Sequence, residues 1–195
     1  MPRPNAPVRR SLPHQVRIIG GQWKRTRLDV PDRPGLRPTP DRVRETLFNW
    51  LGQDLTGWRC VDAFAGTGAL GLEAASRGAA DVLLLEADAA LVDALRAVAK
   101  RLHAANVRVQ RGNALTALSG LPAGSVDLVF LDPPFDADLF DKALAAARPA
   151  LADSGFVYLE APRAFDAQAL APHRLELVRH LKAGAVHGHL LRPVA

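Results

Sequence analysis

Among 195 residues there is a single cysteine, Cys60, which excludes an internal disulfide; its place in an apolar run suits a packed thiol in a reducing cytoplasm. Apolar runs are short as well. None approaches the ~18 to 20 residues that span a bilayer, so no membrane partner is expected. Met1-Pro-Arg-Pro-Asn5 carries charge without a following apolar core, unlike a secretory signal. Six histidines (His14, His103, His173, His180, His187, His189) show no metal-ligand spacing with cysteine or carboxylates, so neither metal nor thiol catalysis is indicated. His187 and His189 fall on one face of the last expected strand without an evident role. There is no internal repeat and no low-complexity tract beyond alanine-rich helices. With 48% hydrophobic and 23% charged residues, the chain suits one well-buried domain with a small appendage.

Acidic charge is scarce at one end only. Residues 1–50 hold 11 Lys/Arg against 4 acids, a balance of +7, whereas residues 51–195 hold 14 against 16, or −2. A basic segment on a slightly acidic body points to a polyanion-binding arm, and the predominance of arginine favours phosphate. The plainer alternative is a solvated basic tail.

Residues 1–15, rich in proline and arginine, predict a flexible basic leader. Residues 16–54 predict a small hairpin, a proline-rich linker and a helix. Thr39 would cap that helix, Pro40 occupy its first position and Asp41 its positive end. Val43, Leu47, Trp50 and Leu51 form its apolar stripe, which would turn Arg37, Arg42 and Arg44 outward. From residue 55 strand and helix alternate. Strands are expected over 59–64, 81–86, 107–110, 126–131 and 155–160, and helices over 68–77, 89–103 and 140–151. Segments 173–181 and 186–191 flank Ala183-Gly184 as a hairpin. The expected fold is α/β: a seven-stranded, mostly parallel Rossmann-like sheet with an antiparallel C-terminal hairpin.

The stretch Val126-Asp-Leu-Val-Phe-Leu-Asp-Pro-Pro-Phe135 organises the reading. Its apolar run fits a strand buried on both faces, and two prolines force the chain out of the sheet after Asp132. That leaves a carboxylate, a carbonyl and an aromatic face at the carboxyl end of a central strand, where ligands bind in open α/β sheets. A planar base with an exocyclic amine would stack on Phe135 while Asp132 and the Pro133 carbonyl accept its two N–H bonds.

The second motif is Asp62-Ala-Phe-Ala-Gly-Thr-Gly-Ala-Leu-Gly71, between a strand and a helix. Gly66, Gly68 and Gly71 satisfy the dinucleotide fingerprint, and Glu86 lies 20 residues past Gly66, where a ribose-binding acid is expected. A nicotinamide cofactor and S-adenosylmethionine (SAM) therefore compete here. Asp62 would repel a pyrophosphate but could hold a methionyl ammonium, and hydride transfer has no use for Asp132-Pro-Pro-Phe135. The pair of motifs favours SAM.

Together these motifs resemble the class I SAM-dependent N-methyltransferases acting on exocyclic amines. Arg37-Pro-Thr-Pro-Asp-Arg-Val-Arg-Glu-Thr-Leu-Phe-Asn-Trp-Leu51 narrows the resemblance to the RsmD type, bacterial enzymes that methylate a guanine N2 of small-subunit (16S) ribosomal RNA. It runs from about Val16 through the last hairpin, making 55–195 the methyltransferase domain. The resemblance implies that Asp62, Phe64, Gly66 and Gly68 line the methionine side of SAM and Glu86 binds its ribose. It sets Asn113 and Ala114 beside adenine and gives the guanine to Asp132, Pro133, Pro134 and Phe135. Leu70 stands where the class I loop usually has its third glycine, and Asn113 where an acid often contacts adenine. Lys24, Arg25, Arg27, Arg37, Arg42 and Arg44 become candidates for RNA phosphate contacts. The implied protein is a cytoplasmic monomer acting on small-subunit particles or their assembly intermediates. A DNA amine methyltransferase and a non-catalytic RNA-binding protein are the remaining alternatives.

Overall fold

The computed structural model describes residues 15–31, 36, 38–135 and 139–194. The basic leader up to residue 14 and Arg37 lie outside them. The first elements are β1 (Gln15–Arg17) and β2 (Arg27–Asp29), an antiparallel pair in which Val16 faces Leu28. Both of those are buried between exposed neighbours, the alternation of a strand with one covered face. They form the expected hairpin.

Helix α1 (Asp41–Trp50) departs from expectation at its start and on its buried side. Pro40, with extended ψ, is the cap residue, and no side chain caps the helix. Thr39 is buried and its hydroxyl bonds to Glu160 instead. The buried residues are Val43, Arg44, Leu47 and Phe48, while Trp50 is only half-buried. Arg44 therefore does not face outward. It is wholly buried, paired with Glu73 (3.2 Å) and Asp41 (2.6 Å), and donates to the Thr39 and Arg17 carbonyls. Its assignment to RNA contact is overturned: a guanidinium with four internal acceptors and no exposure cannot reach a phosphate.

Glu73, on α2 (Ala69–Ser76), is the other half of this staple. Besides Arg44 it accepts from Ile19 N (2.8 Å), Gly20 N (2.7 Å) and Arg77 Nε (2.9 Å). A buried carboxylate with this many donors is fully compensated. It ties hairpin and helix to the main domain, and the three share one apolar cluster.

The remaining strands are β3 (Arg59–Asp62), β4 (Asp81–Glu86), β5 (Val107–Arg111), β6 (Val126–Leu131), β7 (Leu151–Ala161), β8 (Leu175–Ala183) and β9 (Val186–Pro193). They form one sheet in the order β5-β4-β3-β6-β7-β9-β8, parallel except at β9; the seven strands and the antiparallel C-terminal pair are as the sequence predicts. Helix α3 (Ala89–Arg101) covers the same face as α1 and α2; α4 (Ala114–Ser119), α5 (Leu139–Ala147) and α6 (Ala167–Leu170) cover the other. No described helix is long and apolar enough to cross a membrane. Strand order reverses between β3 and β6. The crevice beyond their carboxyl ends is the topological switch point at which such sheets bind ligands.

Candidate active site

Four carboxylates stand at the carboxyl ends of neighbouring strands. Asp62 ends β3 opposite Phe130, Glu86 ends β4, and the β6–β7 register (Leu131 opposite Leu159) brings Asp132 abreast of Glu160. Asp62 is buried and accepts from Gly71 N at 2.9 Å. That bond requires a glycine, because a Cβ at Gly71 would lie 2.2 Å from Leu84 Cδ2 and 3.0 Å from Asp62 Cβ. Gly68, at the start of α2, has φ +77°, which also favours glycine. Glu86 is held by three amides, Gly66 N on one oxygen (2.9 Å) and Ala87 N and Asp88 N on the other (2.7 and 2.9 Å). The Gly112 N–H bonds to the Glu86 carbonyl (3.0 Å) and so sets Asn113 alongside. Asn113 caps α4 through its side-chain oxygen, and Ala114 is buried behind it. Phe64 is half-buried in the loop, beyond the end of β3.

At the end of β6, Asp132 is half-buried, Pro133 buried, and Pro134 and Phe135 exposed. Phe135 is 46% exposed, with its ring centroid 6.3 Å from that of Phe140. Among the described residues, nothing donates to the Asp132 carboxylate or to the Pro133 carbonyl. Among the described residues no buried side-chain oxygen lacks a partner, so the Asp132 oxygens, which have none, are not sealed from solvent. Two free acceptors and an exposed aromatic face are thus adjacent on one short stretch of chain.

Glu160 was not foreseen. It is 3% exposed, accepts from Tyr158 Oη (3.0 Å) and bonds to the Thr39 hydroxyl. A signal existed, because Asp62, Asp132 and Glu160 are each an acid that follows an apolar strand at its carboxyl end. Burial, then the charges of Glu160 and Asp62, raises Asp132 well above the usual carboxylate range. Burial raises Glu160 too, against the opposing bonds from Thr39 and Tyr158 and the Arg44 charge. Burial pushes Asp62 up to about 7, with Glu86 and Glu160 adding to the rise and the Gly71 bond opposing it. The cluster accordingly favours a cationic ligand and disfavours a pyrophosphate.

A raised carboxyl stabilises the fold most when protonated. The folded state holds the Asp62 proton up to about pH 7 while the unfolded chain loses it near 3.8, so this contribution falls as pH climbs between those values. Asp62→Asn should therefore show a smaller loss of melting temperature than the parent between pH 5 and 7.5. Parallel pH profiles by scanning calorimetry would contradict it.

Of the proposed polyanion contacts, Lys24, Arg25, Arg27 and Arg42 are exposed, and no carboxylate pairs with them among the described residues. The Cys60 thiol is buried, and burial pushes its pKa up, away from nucleophilic use.

A family model described as "Conserved hypothetical protein 95" matches residues 16–192. "Ribosomal RNA small subunit methyltransferase D" of Escherichia coli strain K12 is 48% identical over 150 residues, 75% of this chain and 74% of that protein. The protein of the same name in Haemophilus influenzae is 35% identical over 178 residues, 88% and 91% of the two chains. Among solved structures, "Putative methyltransferase yhhF from Escherichia coli" superposes with a TM-score of 0.79 at 39% identity, covering 93% of this chain and 99% of that one.

Proposed function

Since the chain belongs to the Conserved hypothetical protein 95 (RsmD) family and is a methyltransferase, we propose that it moves a methyl group from SAM to the exocyclic N2 of a guanine in small-subunit ribosomal RNA. The observation that carries this reading is the pair of free acceptors, Asp132 and the Pro133 carbonyl, beside the exposed ring of Phe135 at the sheet's switch point.

SAM, when bound, supplies an electrophilic methyl group on a sulfonium. The acid cluster suits it. Asp62 would face the methionyl ammonium, Glu86 the ribose hydroxyls, and Asn113 and Ala114 the adenine. Glu86 keeps lone pairs for hydroxyls although its position is fixed by three amides. A nicotinamide dinucleotide would have to lay its pyrophosphate among these acids.

The amine of guanine is conjugated with its ring and is a weak nucleophile. Accepting one N–H at Asp132 and the other at the Pro133 carbonyl turns the nitrogen lone pair out of conjugation and fixes its direction. Asp132, with its raised proton affinity, can then take the proton the nitrogen releases. Stacking on Phe135 holds a base that has left its own helix or stack.

The exposed cations Lys24, Arg25, Arg27 and Arg42 would contact RNA phosphates. Neutralising all four should flatten the dependence of RNA affinity on salt by roughly 0.7–0.9 log units per lost contact; an unaltered slope removes the arm from the interface. The function itself is tested by incubating small-subunit particles and their free RNA with methyl-labelled SAM, then identifying the modified nucleoside. N2-methylguanosine at one position is the expected product. Label on another base or atom, or on none, refutes it.

A further inference from the structure

The face shared by His187 and His189 lies near the target crevice and has no part in the chemistry above. His180, on the neighbouring strand, brings its Nε2 to 2.9 Å from His187 Nδ1 and its ring centroid to 4.9 Å from that of His189. His189 is structural: it is buried, its Nε2 accepts the Phe165 N–H (3.0 Å), its Nδ1 meets the Leu159 carbonyl (3.2 Å), and burial holds it at about 4. The other two are accessible, His180 exposed and His187 half-buried. Burial first, then the charges of His180 and Lys182, keep His187 below its ordinary pKa.

Two exposed cations complete the patch. Lys182 pairs across the ladder with His187, and the Arg163 guanidinium carbon lies 4.2 Å from the centroid of the Phe165 ring. Neither is within ion-pair distance of a carboxylate among the described residues. Lys182 and His189 face the histidine pair from β8 and β9, and Arg163, in the loop after β7, faces His189. Nor do these histidines belong to a metal-holding set among the described residues.

The patch is joined to the base clamp through rings. Phe135 meets Phe140 (6.3 Å), Phe140 meets Phe165 (6.2 Å), and Phe165 meets His189 (5.7 Å). Because β9 is antiparallel to both β7 and β8, the Lys182 end of β8 lies at the same edge of the sheet as Asp132 and Glu160. The N-terminal hairpin and α1 pack on the opposite face.

We propose that Arg163, Lys182 and the His180–His187 pair form a second contact for the RNA backbone, gripping phosphate on the side of the target crevice away from the N-terminal arm. The inference rests on the RNA reading above. Cations with no carboxylate partner, on the same edge of the sheet as the clamp, match the phosphates that flank an extruded base. The histidine pair adds a pH dependence, since protonating a histidine beside a bound phosphate adds a cation to the grip.

The test measures KM for small-subunit particles with the full chain, as a function of salt and pH. Arg163→Ala/Lys182→Ala should raise that KM about 10-fold at physiological salt. It should also flatten the plot of log KM against log salt by about 1.4, at ~0.7 for each single-strand phosphate contact. kcat and SAM affinity should stay at parent values. The parent should show a severalfold lower KM at pH 6 than at pH 7.5, a change that His180→Gln/His187→Gln abolishes. A parental slope in the Arg/Lys variant overturns the proposal. So does a raised KM with an unaltered slope, which would assign the patch to a ribosomal protein. A parent chain that methylates no RNA is a separate failure, that of the function reading, and takes this proposal with it.

Discussion

Asp132→Ala should lose about 10²- to 10⁴-fold in single-turnover methyl transfer while still binding SAM. The loss has two parts, an acceptor that directs the amine lone pair and a base for the released proton. Misfolding is an unconvincing alternative cause, because Asp132 is bonded to no described residue and its charge is opposed by burial, Glu160 and Asp62. Removing it relieves repulsion, so the variant should melt no lower than the parent. Asp132→Asn keeps one acceptor oxygen and should retain more activity than the alanine variant. Near-parental turnover in Asp132→Ala, measured at saturating SAM, would remove the residue from the mechanism.

Arg44→Ala should cost about 3–5 kcal/mol, the usual effect of breaking a buried ion pair from one side. For a chain of this length that is a fall in melting temperature of about 6–20 °C. The guanidinium serves Glu73, Asp41 and two carbonyls at once, so Arg44→Lys should recover only part of the loss. Arg42→Ala, two positions away and exposed, should change stability by no more than about 0.5 kcal/mol. Equal effects of Arg42→Ala and Arg44→Ala in denaturant titrations would contradict the division between a structural arginine and a surface one.

These two arginines also show where sequence reading stops. The sheet was legible because its central strands are uninterrupted apolar runs, and the expected spans 81–86 and 126–131 coincide with β4 and β6. β7 begins four residues before its expected start, at Leu151, because the polar Asp153-Ser154 gives no strand signal and only the pairing of Leu151 with Val126 on β6 reveals the earlier start. α4 was missed because six residues are too few to show a helical period, although Asn113 marks its cap. Both clefted motifs were legible, since prolines and glycines at strand ends restrict the backbone whatever surrounds them. The position of Arg44 was not. A charge on a helix reads as solvent-facing until the partner that buries it is known, and that partner, Glu73, lies 29 residues further on. Glu160 was passed over for a related reason, because without the register to β6 an acid ending a strand has no neighbour.

The most direct measurement of the central claim is a crystal structure with sinefungin, in which an amine replaces the methyl-bearing sulfonium of SAM. That amine is expected within hydrogen-bond reach, about 3 Å, of the Asp132 carboxylate or the Pro133 carbonyl, with the ribose hydroxyls on Glu86 and the ring of Phe135 open beside it. Binding away from the glycine loop, or an amine facing away from Asp132, would contradict the account.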